Sequence, residues 1–360
     1  VTPGRARGRS TPDNPPNRFS AVQAEPIHVD LPSDDRAVQT QFFRDASKSI
    51  LSKNDSPDIP YTYSINPYRG CEHGCIYCYA RPTHEYLGFS AGLDFETKIM
   101  VKEDAPELLA REFDKPRWTP QMICLSGNTD CYQPAERSLG ITRRLLEVFA
   151  LYRNPVGLIT KNALVTRDLD LLAELAGQGL ALVTISLTTL DPALARVMEP
   201  RTATPAMRLA AMRTLSEAGV PVAVNAAPVI PGLNDEEIPA ILRAAREHGA
   251  SWASYTILRL PGAVEGLFLG WLKREMPERA SKIVTRLRDM RGGALSESHF
   301  GKRMKGQGEF AGTIRQLFRV QARACAFRED EVAFDLTRFT RRRAAPQGDL
   351  FESGEGRPAR

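Results

Sequence analysis

Two rhythms of apolar and polar positions alternate along this chain. Short apolar runs at 61–65, 121–126, 156–160, 181–186, 222–226 and 252–258 read as buried strands, with a shorter one at 98–101. Between them, 104–114, 138–152, 165–177, 204–218, 236–248, 277–290 and 311–326 read as helices. In 165–177, for example, Val165, Leu169, Leu172, Ala173, Leu175 and Ala176 gather near one face. Gly219 and Gly249 stand where two of these helices should stop. Strand–helix alternation over about six units predicts right-handed βαβ connections and a parallel sheet. Either a barrel or an open doubly wound sheet satisfies that pattern.

The ends differ from the middle. Residues 1–36 are rich in Pro, Arg, Ser and Asp without sustained period, and 341–360 open on three arginines and continue with Pro, Gly and charge. Both are expected to be disordered. This leaves a main body at 37–262 and a helical, basic extension at 263–340. No fixed-period repeat is present. No apolar run approaches the ~20 residues of a membrane span, and the start, Val1-Thr2-Pro3-Gly4, is polar. The expectation is a cytoplasmic protein without membrane contact.

Net charge is +5, unevenly spread: 271–343 carries 18 Lys and Arg against 9 Asp and Glu, while the body is mildly acidic. Within that basic stretch, His299-Phe300-Gly301-Lys302-Arg303-Met304-Lys305-Gly306-Gln307-Gly308 interleaves glycines with cations. It reads as a flexible loop able to approach a phosphate backbone, making nucleic acid the leading partner and substrate class. There is no GxxxxGK[ST] sequence and no GxGxxG following a strand, which argues against nucleoside triphosphatases and nicotinamide dehydrogenases. The five histidines are scattered and form no zinc-hydrolase pattern.

The cysteines change the picture. Of six, three fall in Gly70-Cys71-Glu72-His73-Gly74-Cys75-Ile76-Tyr77-Cys78-Tyr79, a CxxxCxxC spacing, while Cys124, Cys131 and Cys325 stand alone. One loop can aim three thiolates at one point. A zinc ion with His73 as fourth ligand is one reading. The favoured one is an iron–sulfur cubane, which with only three cysteines keeps one iron open for a reacting ligand.

CxxxCxxC with an aromatic before the last cysteine, placed after a first strand, resembles the defining motif of the radical S-adenosylmethionine superfamily. The resemblance implies a partial (β/α)6 barrel. It implies a 4Fe-4S cluster on Cys71, Cys75 and Cys78, whose open iron is chelated by S-adenosylmethionine. Reductive cleavage would then give a 5′-deoxyadenosyl radical that abstracts hydrogen from substrate. It also implies an external electron donor of flavodoxin or ferredoxin type. At the second strand, Ser126-Gly127-Asn128 replaces the usual Gly-Gly-Glu-like stretch. The continuation Thr129-Asp130-Cys131-Tyr132-Gln133-Pro134-Ala135-Glu136 is similar to the spore photoproduct lyase-related branch, which would make this a lyase-like enzyme, with DNA repair the nearest analogy.

On that resemblance, Ser126, Gly127 and Asn128 receive the cofactor's amino group, Lys161 and Ser186 its carboxylate, and Asn225 its ribose, with Tyr77 near the adenine. Within Met122-Ile123-Cys124-Leu125-Ser126, strand alternation puts Met122, Cys124 and Ser126 on one face. In the branch it resembles, a cysteine of this region returns hydrogen to the product radical, so the resemblance makes Cys124 the candidate hydrogen donor, with Cys131 second. Arg201, in Glu199-Pro200-Arg201-Thr202, is a candidate grip for a carboxylate or phosphate. The alternative readings are a radical enzyme acting on a protein or small molecule, and a non-enzymatic iron–sulfur or zinc protein that binds nucleic acid.

Overall fold

The computed structural model describes residues 8–19 and 38–341. Strands β1 (Gln41–Arg44), β2 (Leu51–Lys53), β3 (Tyr63–Ile65) and β4 (Tyr68–Arg69) lead into the cysteine loop, and α1 (Leu93–Thr97), β5 (Lys98–Val101) and α2 (Ala105–Asp114) follow it. Then come β6 (Ile123–Leu125), α3 (Glu136–Leu139), α4 (Ile141–Tyr152), β7 (Val156–Thr160), α5 (Leu169–Ala176), β8 (Ala181–Ser186), α6 (Pro192–Met198) and α7 (Pro205–Glu217). The remainder is β9 (Val222–Val229), α8 (Ile238–Glu247), β10 (Trp252–Ile257), α9 (Ala263–Glu275), α10 (Pro277–Asp289) and α11 (Gly308–Ala324).

The main sheet runs in the order β10-β9-β8-β7-β6-β3-β2. Its first six strands are parallel, and β2 joins β3 antiparallel at the edge. Six parallel strands in nearly sequential order, with helices in the connections, make the partial (β/α)6 barrel. A small second sheet, β1-β5-β4, braces the cysteine loop.

Strand alternation sorts the two faces. Ile123, Leu125, Val156, Leu158, Val183, Ile185, Val222 and Val224 are buried beneath the helices in the main core. The opposite face, lining the barrel, carries small and polar residues. Ser64, Cys124 and Gly157 are neighbours in register across β3, β6 and β7. Nearer the C-terminal ends, Ser186, Asn225 and Ser254 align across β8, β9 and β10. A second core lies under the extension, where Val264, Leu267, Phe268, Trp271 and Leu272 of α9 meet Leu258 and Leu260.

The elements depart from the sequence reading in instructive ways. The predicted helix 138–152 is two helices, because Gly140 takes a left-handed conformation (φ 62°) between α3 and α4. The helix expected over 165–177 is α-helical only over Leu169–Ala176, preceded by a 3-10 turn over Ala163–Asp168. Strand β9 runs past the predicted 226 to Val229. Strands β1, β2 and β4 are too short, and the first too exposed, to leave a periodic signal.

The expected disordered leader needs correcting where it is described. Residues 8–19 form a strap across the cysteine loop, with Arg9, Ser10 and Thr11 buried. Arg9 donates to Glu96 O (2.7 Å), Val38 O (3.1 Å) and Thr40 Oγ1 (3.0 Å), and Ser10 Oγ donates to Glu96 Oε1 (2.7 Å). A polar, proline-rich stretch can therefore be ordered by specific partners without an apolar period. The rest of the expected leader, 1–7 and 20–36, and the tail beyond Arg341 lie outside the described residues. No helix among the described residues is long and apolar enough to cross a membrane.

Candidate active site

The cysteine loop leaves β4 at the C-terminal end of the barrel, the edge where barrel enzymes carry their sites. Gly70 (φ 80°) and Gly74 (φ 64°) turn it, and the turns are tight. A Cβ on Gly74 would stand 2.7 Å from Glu96 Oε2, so only glycine fits. Backbone bonds pin the loop: Cys71 N to Phe95 O (2.9 Å), Ile76 N to Met198 O (2.9 Å) and Arg201 N to His73 O (3.3 Å).

Cys71, Cys75 and Cys78 are free thiols, the first two buried. They lie close enough that each thiolate would raise its neighbours' affinity for protons, on top of the larger effect of burial. Burial pushes Cys75 up to about 12, with Glu199 adding and Lys161 opposing. Burial also raises Cys78, against the pull of Arg81 and Lys161. Three thiols crowded in one low-dielectric loop, facing two cations, are a donor set that is stable as thiolates only around a compensating metal charge. That fits a three-thiolate iron–sulfur cluster, with Cys71, Cys75 and Cys78 as the residues that would hold it. It does not fit zinc with His73 as fourth ligand. The His73 ring is buried, Nδ1 sits 3.3 Å from Asp130 Oδ2, and Nε2 sits 3.2 Å from Asn162 Nδ2, so both nitrogens are taken.

The segment after β6 has a role that sequence reasoning missed. Its polar residues hold the cysteine loop. Gln133, fully buried, accepts from Glu72 N (2.9 Å) and donates to Gly70 O (3.3 Å). Asp130 meets His73 and accepts from Thr160 Oγ1 (2.8 Å) and Lys161 N (2.8 Å). Burial alone would raise its carboxyl, but His73 and these donors outweigh that and hold it down to about 2. Thr129 Oγ1 donates to Tyr68 O (2.6 Å), Tyr68 OH donates to Glu136 Oε2 (2.5 Å), and Tyr132 OH donates to Asp168 Oδ2 (2.9 Å). One strand end therefore positions the cluster loop and the following strand together. Arg201 is an element of the same frame, paired with Glu72 (3.1 Å) rather than free for a ligand.

The other predicted residues fall into two groups. Lys161 and Ser186 stand at successive strand ends, and Asn225, in register with Ser186, lies within β9 four residues short of its end. Lys161 Nζ is 6.0 Å from the Tyr77 ring centroid, and Asn225 Oδ1 accepts from Ser254 Oγ (3.2 Å). Tyr77, by contrast, is anchored in the second core. Its hydroxyl donates to Glu199, which also pairs with the fully buried Arg208, and lies 3.2 Å from Thr188 Oγ1. The Ser126 hydroxyl is committed to its own turn, donating to Thr129 O (2.7 Å) and accepting from Cys131 N (2.5 Å), with Ser126 at φ 77°. Any contact from Ser126 to a cofactor must come through its backbone. Gly127 O accepts from Tyr79 OH (2.6 Å), and Asn128 N donates to Asn66 Oδ1 (2.8 Å).

Cys124 lies on the barrel-lining face, and burial pushes its thiol up to about 12 despite a hydrogen bond with Tyr61. Tyr79, which follows the last cluster cysteine, lies near both Cys78 and Cys124. Cys131 packs in the main core behind the sheet. That removes it as a donor to anything in the barrel.

The basic loop is not the free phosphate loop expected. Arg303 is locked to Asp58 Oδ2 (2.6 Å) and Ser56 Oγ (2.5 Å), and Gly301 N donates to Asp58 Oδ1 (2.6 Å). Lys305 donates to Tyr255 O (2.6 Å) and lies over that ring. Only Lys302 of the three cations is left exposed. The loop ties the strand at one edge of the sheet to the turn beside the other.

A partial barrel with a three-thiolate loop at its C-terminal mouth defines a class of cluster-dependent enzymes. The chain belongs to the Radical SAM superfamily, whose family model matches residues 65–245; its members hold a 4Fe-4S cluster and S-adenosylmethionine. An uncharacterized protein of Mycobacterium tuberculosis is 39% identical over 246 residues, covering 68% of this chain and 71% of its own length. Another uncharacterized protein, from Methanocaldococcus jannaschii, is 30% identical over 175 residues, covering 49% and 63%. Among solved structures, spore photoproduct lyase complexed with dinucleoside spore photoproduct superposes with a TM-score of 0.57 at 16% identity, covering 79% of each chain. At that identity the likeness shows the shared fold.

Proposed function

We propose that this enzyme abstracts hydrogen from a nucleic acid substrate and that Cys124 returns a hydrogen atom to the resulting product radical, in a repair-lyase-like reaction. The observation that carries the reading is Cys124 itself: a thiol on the barrel-lining face, in register with Ser64 and Gly157 and held protonated by burial. A hydrogen-atom donor must keep its S–H bond at neutral pH, whereas a nucleophilic cysteine needs a lowered pKa. The cluster with S-adenosylmethionine supplies a 5′-deoxyadenosyl radical when bound. The chain's own part is to hold the substrate carbon against Cys124. There the S–H bond breaks homolytically, the new C–H bond forms, and the thiyl left behind is restored by a hydrogen atom from 5′-deoxyadenosine or an external reductant.

A nucleic acid is favoured by the cleft beside α11. Arg315 and Arg319 line about 420 Å³ there together with Trp252 and Phe318, while Arg323 and Arg328 on the same lining are paired with Glu329 (2.8 Å) and Asp330 (2.5 Å). Cations interleaved with aromatic faces suit phosphates and bases. The lyase of shared fold is itself complexed with a dinucleoside.

The test is anaerobic reconstitution in D₂O with iron, sulfide, reductant, S-adenosylmethionine and ultraviolet-irradiated oligonucleotide, with Cys75→Ala as the control without a competent cluster. The wild type should form repaired product carrying one solvent deuterium, since a thiol proton exchanges with solvent. In Cys124→Ala the deuterium should be lost and the product diverted. Unchanged labelled product from Cys124→Ala would sink the donor assignment.

A further inference from the structure

The partial barrel leaves β10 and β2 as the two ends of its main sheet. The loop after α10 crosses between them, and three guanidinium groups gather there, Arg303 and Arg259 near the Asp58 carboxylate and Arg291 nearer Glu297. Arg303 takes the Asp58 carboxylate. Arg291 is engaged by backbone through Nη1 and Nη2, donating to Lys302 O (3.2 Å), Arg303 O (2.8 Å) and Leu258 O (2.8 Å), with its Nε buried and unpartnered. Arg259 is left over. Among the described residues no carboxylate lies within ion-pair distance of it. Its Nε is buried without a partner, and its one side-chain bond runs from Nη1 to the Met304 sulfur at 3.6 Å, a weak acceptor.

Its position is what gives this meaning. Leu258 and Leu260 are fully buried in the second core, whereas Arg259, just past the end of β10, is half-buried and reaches the ring of Tyr79 at the mouth. There its guanidinium carbon lies 5.6 Å from the centroid of Tyr79. That ring follows the last cluster cysteine, lies near Cys124 and is tied to Gly127 O. A guanidinium has five donors in a planar fork and keeps its charge even when partly buried. Here Nε is buried without a partner and Nη1 meets only a thioether, while Nη2 stays open to the solvent side of the mouth, so part of the fork is free for a ligand and its one buried donor is unmet. With Arg303 alongside, the local field favours an oxyanion supplied from outside the chain.

We infer that Arg259 is a substrate-binding residue that grips a phosphodiester of the substrate beside Tyr79, at the edge of the barrel mouth. The inference rests on the nucleic acid reading above and deepens it, because it names the atoms recognised. The two non-bridging oxygens of a phosphodiester match the guanidinium fork. A carboxylate offers the same fork, so the test carries both sources.

The experiment measures binding of a short fluorescent single-stranded oligonucleotide to the anaerobic holoenzyme across a salt series. Wild type, Arg259→Met and Arg259→Lys are compared, with an acidic peptide and a methylphosphonate oligonucleotide as parallel probes. Matching iron and sulfide content and matching melting curves establish that the variants are folded. Arg259→Met should weaken oligonucleotide binding by roughly tenfold and lower the magnitude of the log–log salt slope by about one, with Arg259→Lys between. Methylphosphonate oligonucleotide, lacking the anionic oxygens, should bind both proteins alike. Tight wild-type binding with the same affinity and slope in Arg259→Met would overturn the inference and leave the nucleic acid reading standing. Acidic peptide binding that depends on Arg259, without oligonucleotide binding, would replace phosphodiester by carboxylate and overturn both. No oligonucleotide binding by the wild type at low salt would overturn the nucleic acid reading, and this inference with it.

Discussion

The strap of residues 8–19 makes a sharp prediction through Gly92. A Cβ built there would stand 2.0 Å from Asp13 O and 2.7 Å from Pro15 Cδ, a clash with main chain that no side-chain rotation relieves. In Gly92→Ala the strap is the part free to move, because it is not woven into the main sheet. Its departure breaks the Leu93 N to Asp13 O bond (2.9 Å) and the paired bonds between Asn14 and Asp94 (2.9 and 3.1 Å). At about 1 kcal/mol net for each bond, the loss is about 2–3 kcal/mol. At about 1.4 kcal/mol per factor of ten, docking should weaken by roughly 30- to 150-fold. Next along the strap, Ser10 would release Glu96 and expose the buried Arg81–Glu96 pair (2.6 Å), whose arginine also donates to Cys75 O (3.0 Å). Hydrogen exchange should show the Leu93 amide losing protection, and trypsin should cut faster after Arg18, while the barrel amides of β7 and β8 stay protected. Unchanged exchange at Leu93 and unchanged cleavage at Arg18 would refute the close approach and the reasoning built on it.

Further predictions concern the frame of the cluster loop and its pH dependence. Gln133→Leu keeps the volume but leaves Glu72 N and Gly70 O without a partner; it should cost about 2–4 kcal/mol and lower the iron bound per chain after reconstitution. Full iron loading at wild-type stability would contradict the brace. His84 is buried against Phe89 and Phe95, and burial holds its pKa down to about 4 from an ordinary 6.5. The unfolded chain therefore takes up this proton first as pH falls. The stability tied to His84 is whole above pH 6.5 and is lost progressively toward pH 4, by up to about 3 kcal/mol. Urea midpoints at several pH values should show that slope in the wild type and its absence in His84→Leu, while the loss tied to Asp130 begins only below its ordinary 3.8 in both. An identical slope in the two proteins would rule out His84 as its source.

What the sequence determined by itself was local chemistry and local periodicity. Three cysteines within eight positions can only be brought together by their own loop, so the cluster ligands were legible without a fold. The strands from β6 to β10 and most of their helices were legible because one buried face leaves a period in the residues that form it. The strand ends beside Lys161 and Ser186 were legible for the same reason, whereas Asn225 lies within β9, which runs on to Val229. The tertiary structure decided everything that depends on a partner far along the chain. Lys302, Arg303 and Lys305 look alike in sequence, yet Arg303 is neutralised by Asp58 and Lys305 is drawn onto Tyr255. Arg259 carried no signal, and only the fold shows that Asp58 pairs with Arg303 and leaves Arg259 to the Met304 sulfur and the Tyr79 ring. The polar stretch 129–136 resembled a branch of the superfamily and serves as the brace of the cysteine loop, while Ser126, read as a cofactor contact, turned its hydroxyl into its own turn. A charge or hydrogen-bonding group has no period, and its role is set by whichever group the fold brings within about 3 Å; that distance is a property of the folded chain.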